Sequence, residues 1–335
     1  MSTSVFISGA NGFIAQHIIA LLLSKGYSVV GSVRSPAKGE KLKELYGSKF
    51  QYEVVPVLEK QGAFDDALKN HPEVTIFLHS ASPAAIFVED NEKDTLIPAI
   101  NGTKFVLESV QKTSPQIKRF VYTSSILTIA YRELFSDPNF VASEEVYNPI
   151  TYEEGKNNTG LDAYVASKSL AEKAAWDYVN KNKPQYTFST VNPVCVLGPQ
   201  AKDEEAKGSL SSTAEIINSV YKLTKDDKIS EIGGQFVDVR DVAKAHVLAF
   251  EKDEAQGKRI ITYTENFNPQ LILNIIRKNF PELRERLPVG DPDNVNFSSY
   301  AKIDDKKSRE ILGIESISLE DSVISTVEQA IRAQN

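Results

Sequence analysis

"SGANGFIAQH" (residues 8–17) follows the short β-rich run "SVFIS" (4–8) and opens an apolar helical segment. Gly9 permits a tight turn, and Gly12 lets backbone approach a phosphate. Ala15 is small enough for the helix to pack close to the strand. The N–H groups left unpaired at a helix N-terminus, together with its dipole, favour an anion there. The spacing is Gly-x-x-Gly-x-x-Ala rather than Gly-x-Gly-x-x-Gly, and a glycine-rich turn without a ligand would look similar. Its place between the first strand and the first helix is what points to a dinucleotide pyrophosphate.

Outward from this loop, short apolar runs alternate with helical patterns. "SVFIS", "SVVGSV" (28–33), "YEVVPV" (52–57), "VTIFLH" (74–79), "RFVYTS" (119–124) and "TFSTVN" (187–192) read as strands. They are nearly continuous apolar runs, as strands buried on both faces of a parallel sheet should be. Helical segments lie near 13–25, 36–46, 63–70, 93–113 and 163–182. The alternation predicts an α/β fold with a doubly wound parallel (Rossmann) sheet. After Asn192 the rhythm breaks. "PVCVLGPQAKDEEAKGS" reads as a long loop, "FVDVRDVAKAHVLAF" (236–250) returns to strand-into-helix, and the remainder is polar, helical and loop-rich. We expect residues 1–192 with 236–264 to form the cofactor domain. Residues 193–235 with 265–335 would form a smaller, interleaved substrate cap.

An NAD site usually places an acidic residue about 20 residues after the loop, on the ribose 2′-hydroxyl. This chain has no carboxylate before Glu40; "SVRSPAK" instead puts Arg34 after the second strand and Lys38 four residues on. A guanidinium fork and an ammonium suit a 2′-phosphate, hence NADPH; two ordinary surface cations are the alternative.

The bulk composition narrows the function. The 335 residues carry 25% charged side chains and a net charge of −7, without the basic stripe of a nucleic-acid binder. Cys195 is the only cysteine, which excludes an intrachain disulfide, and its apolar surroundings suit a buried small hydrophobe. Four scattered histidines give no metal cluster. "FIAQHIIALLLS" (13–24) is interrupted by Gln16 and His17, has no basic stretch before it and is too short for a bilayer span. A cytoplasmic protein is expected.

Tyr164 and Lys168 in "GLDAYVASKSLAEKAAW" (160–176) sit at i and i+4 on one helix face. A free phenol, with a pKa of about 10, is a poor proton carrier at neutral pH, and a neighbouring cation should lower it. "VYTSS" (121–125) places serine at the carboxyl edge of the sheet, where its hydroxyl could hold a carbonyl oxygen while the phenol protonates it.

"GANGFIA", "HSASP" (79–83), "INGT" (100–103), "TSS" (123–125), "YVASK" (164–168), "VNPV" (191–194), "LGPQ" (197–200) and "FVDVRDVAKAH" (236–246) together carry a resemblance. The chain resembles the extended short-chain dehydrogenase/reductases. Within them it is similar to the dihydroflavonol-reductase-like group, including fungal NADPH-dependent methylglyoxal or 3-methylbutanal reductases. The resemblance spans essentially the whole chain. It implies a Ser125–Tyr164–Lys168 triad and NADPH-dependent reduction of aldehydes and ketones. It puts Gly9, Gly12, Phe13 and Ile14 along the pyrophosphate and Arg34 and Lys38 at the 2′-phosphate. Ala81 and Ser82 fall on the adenine-ribose side, Pro193 and Val194 at the nicotinamide amide, and Thr213 at the phosphates. Val57 stands where many relatives carry an aspartate near the adenine, although Leu58 could pack on the ring.

The same branch hosts sugar-nucleotide epimerases and dehydratases, and non-catalytic NADP(H)-sensing binders. The dehydratases typically carry acids after the fifth-strand Thr or Ser, where "TSSILTIAY" is apolar; the binders usually lose the Tyr/Lys pair. For the substrate we expect an apolar pocket of Phe87, Ile126, Tyr131, Val165 and Val196, with small Ala84 and Ala85 leaving room for a bulky substituent. Hydrophobic aryl or branched alkyl carbonyls should outpace charged ones. Beyond a small-molecule substrate the expected partners are few: no nucleic acid, no membrane, and a monomer or homodimer.

Overall fold

The computed structural model describes residues 3–82, 88–131, 134–208, 210 and 212–334. Seven strands form one parallel sheet: β1 (Ser4–Ser8), β2 (Ser28–Val33), β3 (Phe50–Val54), β4 (Val74–His79), β5 (Arg119–Thr123), β7 (Thr187–Pro193) and β10 (Arg259–Thr262). Their order is β10-β7-β5-β4-β1-β2-β3. The chain therefore winds one way from β1 to β3 and the other way from β4 onward. That reversal opens a crevice between β1 and β4 at the carboxyl edge, the place where such sheets bind ligands.

The apolar runs explain the sheet. All five residues of β1 are buried, as are five of six in β4, because helices cover both faces. On one face, α1 (Phe13–Ser24) and α8 (Val239–Glu251) contribute Ile18, Ile19, Val242 and Val247 to a core. The short α2 (Pro36–Tyr46) flanks it through Leu42. On the other face, Leu68 of α3 (Asp65–Lys69), Val106, Leu107 and Val110 of α4 (Ile97–Thr113) and Ala175 of α6 (Gly160–Asn182) pack together. There Phe6, Phe77 and Phe120 stack across β1, β4 and β5 with ring centroids 5.1 Å apart in each pair. Trp176, the single tryptophan, sits edge-on to Phe188 of β7 at 4.7 Å.

Helix α6 starts at Gly160 rather than near 163. Thr159 caps it, accepting the Asp162 N–H at 3.2 Å, while the Asp162 carboxylate accepts the Thr159 N–H at 3.1 Å. This reciprocal box satisfies two otherwise orphaned donors. A similar box at Thr151 and Glu154 opens the preceding α5 (Tyr152–Asn157).

A third core belongs to the cap: Val220 and Tyr221 of α7 (Glu215–Tyr221), Ile272 and Ile276 of α9 (Pro269–Asn279), and Val323 and Val327 of α11 (Leu319–Gln334). It packs on a small sheet in which β9 (Gly234–Asp238) lies between β8 (Cys195–Leu197) and β11 (Glu265–Phe267). Strand β8 lies inside the stretch read as a long loop. Residues 200–205 clamp the cap to the large domain: the Gln200 N–H donates to Gln329, Arg332 pairs with Asp203 at 3.0 Å, and Lys41 of α2 pairs with Glu205 at 2.5 Å.

Two further boundaries differ from expectation. Strand β3 is Phe50–Val54 because its register is set by β2, with Val29 opposite Phe50 and Val33 opposite Val54; Val57 lies beyond it and is 46% exposed. Residues 302–312, expected in the cap, pack on the large domain. Strand β12 (Lys302–Asp304) pairs with β6 (Val141–Ser143), Leu312 of α10 (Lys306–Leu312) joins the first core, and Ser308 Oγ accepts the Ile261 N–H at 2.8 Å.

Gly31 of β2 lies under the glycine loop: a Cβ there would meet the Ala10 methyl at 2.5 Å and the Phe50 ring at 2.9 Å. Gly31→Ala should therefore destabilise the fold by about 1–3 kcal/mol through overpacking. A urea midpoint equal to that of the parent would count against this fit.

Candidate active site

The glycine loop is shaped by contacts that exclude side chains. Gly9 has φ +70°, and a Cβ on it would stand 2.9 Å from Ala81 Cα. The Gly12 N–H donates to the Gly9 carbonyl at 2.9 Å, and Gly12 caps α1 without a side chain. Ser8 fixes the opposite rim. Its Oγ accepts the N–H groups of Ser80 and Ala81 at 3.1 and 3.0 Å and donates to His79 Nδ1 at 2.7 Å. The ends of β1 and β4 are thus locked at the switch point.

Beside this rim lies a cleft of about 360 Å³ that gathers Gly9, Gly12, Arg34, Lys38, Leu58, Ala81 and Ser82. No Asp or Glu is among its described lining residues. A narrow glycine rim continuous with an unopposed guanidinium and ammonium fits a dinucleotide carrying an additional phosphate. Phe13 and Ile14, in the first turn of α1, are partly buried against the first core rather than in the cleft lining. Pro193 and Val194 are buried at the end of β7. Thr213 departs from expectation. Its hydroxyl donates to the Val196 carbonyl at 2.5 Å, and it is not among the residues lining this cleft.

The three hydroxyls of "TSS" have different fates. Thr123 Oγ1 lies 2.7 Å from His246 Nε2, while His246 Nδ1 lies 2.8 Å from the Val242 carbonyl. A carbonyl only accepts, so Nδ1 carries the proton and Nε2 accepts from Thr123. Ser124 is buried and donates to the Glu172 carboxylate. Ser125 alone of the three is partly exposed. It caps the 3₁₀ turn Ile126–Thr128, and its Oγ accepts the Leu127 N–H at 3.2 Å, which leaves its own O–H to donate outward.

Tyr164 and Lys168 lie in the first turns of α6, with Lys168 Nζ 5.9 Å from the Tyr164 ring centroid. Burial pushes the Lys168 ammonium down to about 8. The phenol moves opposite to expectation: burial, and then the neighbouring Cys195 thiol, push Tyr164 above the ordinary phenol value. Removing a phenolate from water is costly, and that desolvation is the larger of the two causes.

The expected substrate lining divides. Val165 is 0% exposed, and Ile126, at 5%, packs into the first core, so both are structural in this geometry. Val196 is buried at 6% exposure in the same core, while Tyr131 is partly exposed. Phe87, Ala84 and Ala85 lie outside the described residues.

Two groups near the site escaped the sequence reading. Glu172, one turn beyond Lys168, accepts from Ser124, from Asn192 Nδ2 at 2.6 Å and from Arg259 Nε at 2.6 Å. The spacing Tyr164, Lys168, Glu172 was the available signal, since i, i+4 and i+8 share a face. The Ser8–His79 contact had none, because the two are 71 residues apart.

The glycine loop at the switch point, with Arg34 and Lys38 in the cleft beside it, defines a nucleotide-binding protein of the doubly wound class. The chain belongs to the NAD dependent epimerase/dehydratase family, whose pattern matches residues 5–262. It is 48% identical over 338 residues to the putative NADPH-dependent methylglyoxal reductase GRP2 of Candida albicans, covering 98% of this chain and 99% of that protein. It is 41% identical over 337 residues to the NADPH-dependent methylglyoxal reductase GRE2 of Saccharomyces cerevisiae, covering 98% of each. The crystal structure of Gre2 from Candida albicans in complex with NADPH superposes with a TM-score of 0.95 at 42% identity, over 99% of this chain and 100% of that one. Among the described residues, no helix is long and apolar enough to cross a membrane.

Burial pushes His79 down to about 3, and His17 and His246 down to about 4, so all three stay neutral in the fold. The unfolded chain protonates them near 6.5 and therefore binds more protons between pH 6.5 and about 4. Stability should fall as pH drops through that window. Urea midpoints recorded between pH 7 and 5 check this, and a midpoint that rises on acidification would contradict the neutral assignments.

Proposed function

We propose that this protein is an NADPH-dependent carbonyl reductase that converts aldehydes and ketones, of the methylglyoxal type and with hydrophobic or aryl substituents, to alcohols. The observation that carries the proposal is the pairing of two sites on one sheet edge. Arg34 and Lys38 sit in an acid-free cleft beside the glycine rim, and Ser125, Tyr164 and Lys168 occupy the neighbouring strand end and helix. Near-complete coverage by relatives named as reductases supports the reading.

Gly9, Gly12, Arg34 and Lys38 would hold the pyrophosphate and 2′-phosphate, with Leu58, Ala81 and Ser82 beside the adenosine. Bound NADPH supplies the hydride. The Ser125 hydroxyl donates to the substrate carbonyl oxygen and fixes it. Tyr164 then gives that oxygen its proton, and a phenol held above its ordinary pKa enters the reaction with that proton in place at neutral pH. Lys168 stands over the ring and offsets the negative charge left on the phenol as the proton departs. Tyr131, partly exposed at the end of the segment after β5, would supply part of an apolar wall, in keeping with hydrophobic carbonyls. The protein is read as a cytoplasmic monomer or homodimer.

Loss of NADPH absorbance with a panel of aliphatic, aryl and anionic carbonyls tests the reaction. Turnover restricted to anionic compounds, or absent with every carbonyl, would refute it. Tyr164→Phe should lower kcat at least ~10²-fold with cofactor affinity nearly intact, because only the transferable proton is lost. Arg34→Ala should weaken NADPH about 10–10²-fold and NADH little, since only the former carries the 2′-phosphate. Equal weakening of both cofactors, measured by fluorescence titration, would make Arg34 a structural residue.

A further inference from the structure

Ser125 is partly exposed just past the carboxyl end of β5, and its own side chain makes one cap bond, with the Leu127 N–H. Its position is set from behind, by neighbours that converge on one buried carboxylate. Glu172 Oε2 accepts from Ser124 Oγ and from Asn192 Nδ2 at 2.6 Å, and Thr128 Oγ1 lies 2.8 Å from the same oxygen. The Ser125 carbonyl is held in the same cage, 2.9 Å from Thr128 Oγ1 and 3.3 Å from Asn192 Nδ2, and it accepts the Thr128 N–H at 3.1 Å. Residues on both sides of Ser125 therefore hang from Glu172.

The other carboxylate oxygen accepts from Arg259 Nε at 2.6 Å; both side chains are at most 5% exposed. The rest of that guanidinium is spent on backbone and hydroxyl oxygen. Nη1 donates to the carbonyls of Glu144 and Val146 at 2.7 and 2.6 Å, and Nη2 to Thr128 Oγ1 at 2.9 Å. A fully engaged fork cannot rotate without breaking several bonds, so the carboxylate it holds is fixed in turn. Glu172 is also covalently part of the helix that carries Tyr164 and Lys168, two turns and one turn below them on the same face.

We infer that Glu172, locked by Arg259, is the positioning residue that sets the Ser125 hydroxyl relative to the Tyr164 phenol. Glu172 itself does not reach the crevice; it acts through Ser124, Thr128 and Asn192. The inference rests on the reading that Ser125 holds the substrate oxygen. In that reading a displacement of ~1 Å at the hydroxyl costs turnover by as much as ~10²-fold.

Glu172→Gln keeps the shape but turns an amide NH₂ toward donors, so at least one member of the cage must move. A double-mutant cycle with Ser125→Ala separates positioning from general support. In the parent background Glu172→Gln should lower kcat ~10–10²-fold. Its NADPH Kd should stay within about twofold, and in Ser125→Ala it should lower kcat by less than about threefold, because the group it positions is gone. Equal factors in both backgrounds would overturn the inference and leave the Ser125 role standing. An unchanged kcat in Ser125→Ala alone would refute the Ser125 role and this inference with it. Thr128→Val, which removes one hydroxyl between the carboxylate and the Ser125 carbonyl, carries the same cycle if Glu172→Gln fails to fold. There the kcat loss should be smaller and should again vanish with Ser125→Ala.

Discussion

A buried carboxylate joined to a buried guanidinium ties together the parts of this protein that do different jobs. The Glu172–Arg259 pair links α6 to β10, and through Ser124, Thr128 and Asn192 it also links the ends of β5 and β7. Desolvating two charges is costly, and the arrangement persists because each remaining donor and acceptor is matched. Removing one partner of such a pair typically costs about 3–5 kcal/mol, chiefly from the charge left behind. The lattice of bonds leaves one hydroxyl in the "TSS" sequence, that of Ser125, partly exposed just past the carboxyl end of β5.

That edge is organised by a second rule, the exclusion of side chains. Positive φ at Gly9, its approach to Ala81 and the Ser8 bridge keep the rim between β1 and β4 at backbone thickness. Only beyond the rim do long cationic side chains appear, at Arg34 and Lys38. Backbone donors near the loop and point charges farther out make a graded surface for an extended polyanion.

The parallel sheet was legible because its strands are buried on both faces, and continuous apolar runs such as "VTIFLH" have few other uses. The glycine loop, the paired cations and the Tyr/Lys spacing were legible because each is a local pattern. What stayed hidden depends on distance along the chain. Arg259 opens a four-residue strand whose meaning comes from a glutamate 87 positions earlier. Strand β8 is three residues long and exists through pairing with β9, so no run of its own announces it. Residues 302–312 left the cap because β12 found β6, a pairing across about half the chain. Ile126 and Val165 looked like pocket walls because hydrophobicity alone does not say which side of a loop faces inward. The direction of the Tyr164 shift was missed for a similar reason: the neighbouring lysine is visible in the sequence, whereas the burial of the phenol is not.

The single tryptophan makes this architecture observable by light. Trp176 lies one turn beyond Glu172 on α6, its ring set edge-on to Phe188 of β7. Tryptophan emission therefore comes from one seam, where the helix bearing Tyr164 and Lys168 meets the sheet. Far-ultraviolet dichroism averages over the whole backbone. If the two signals trace one denaturation curve, the seam and the bulk open together. If the emission moves first, α6 has parted from the sheet while the rest still holds, and the protein reports that separation with no label attached.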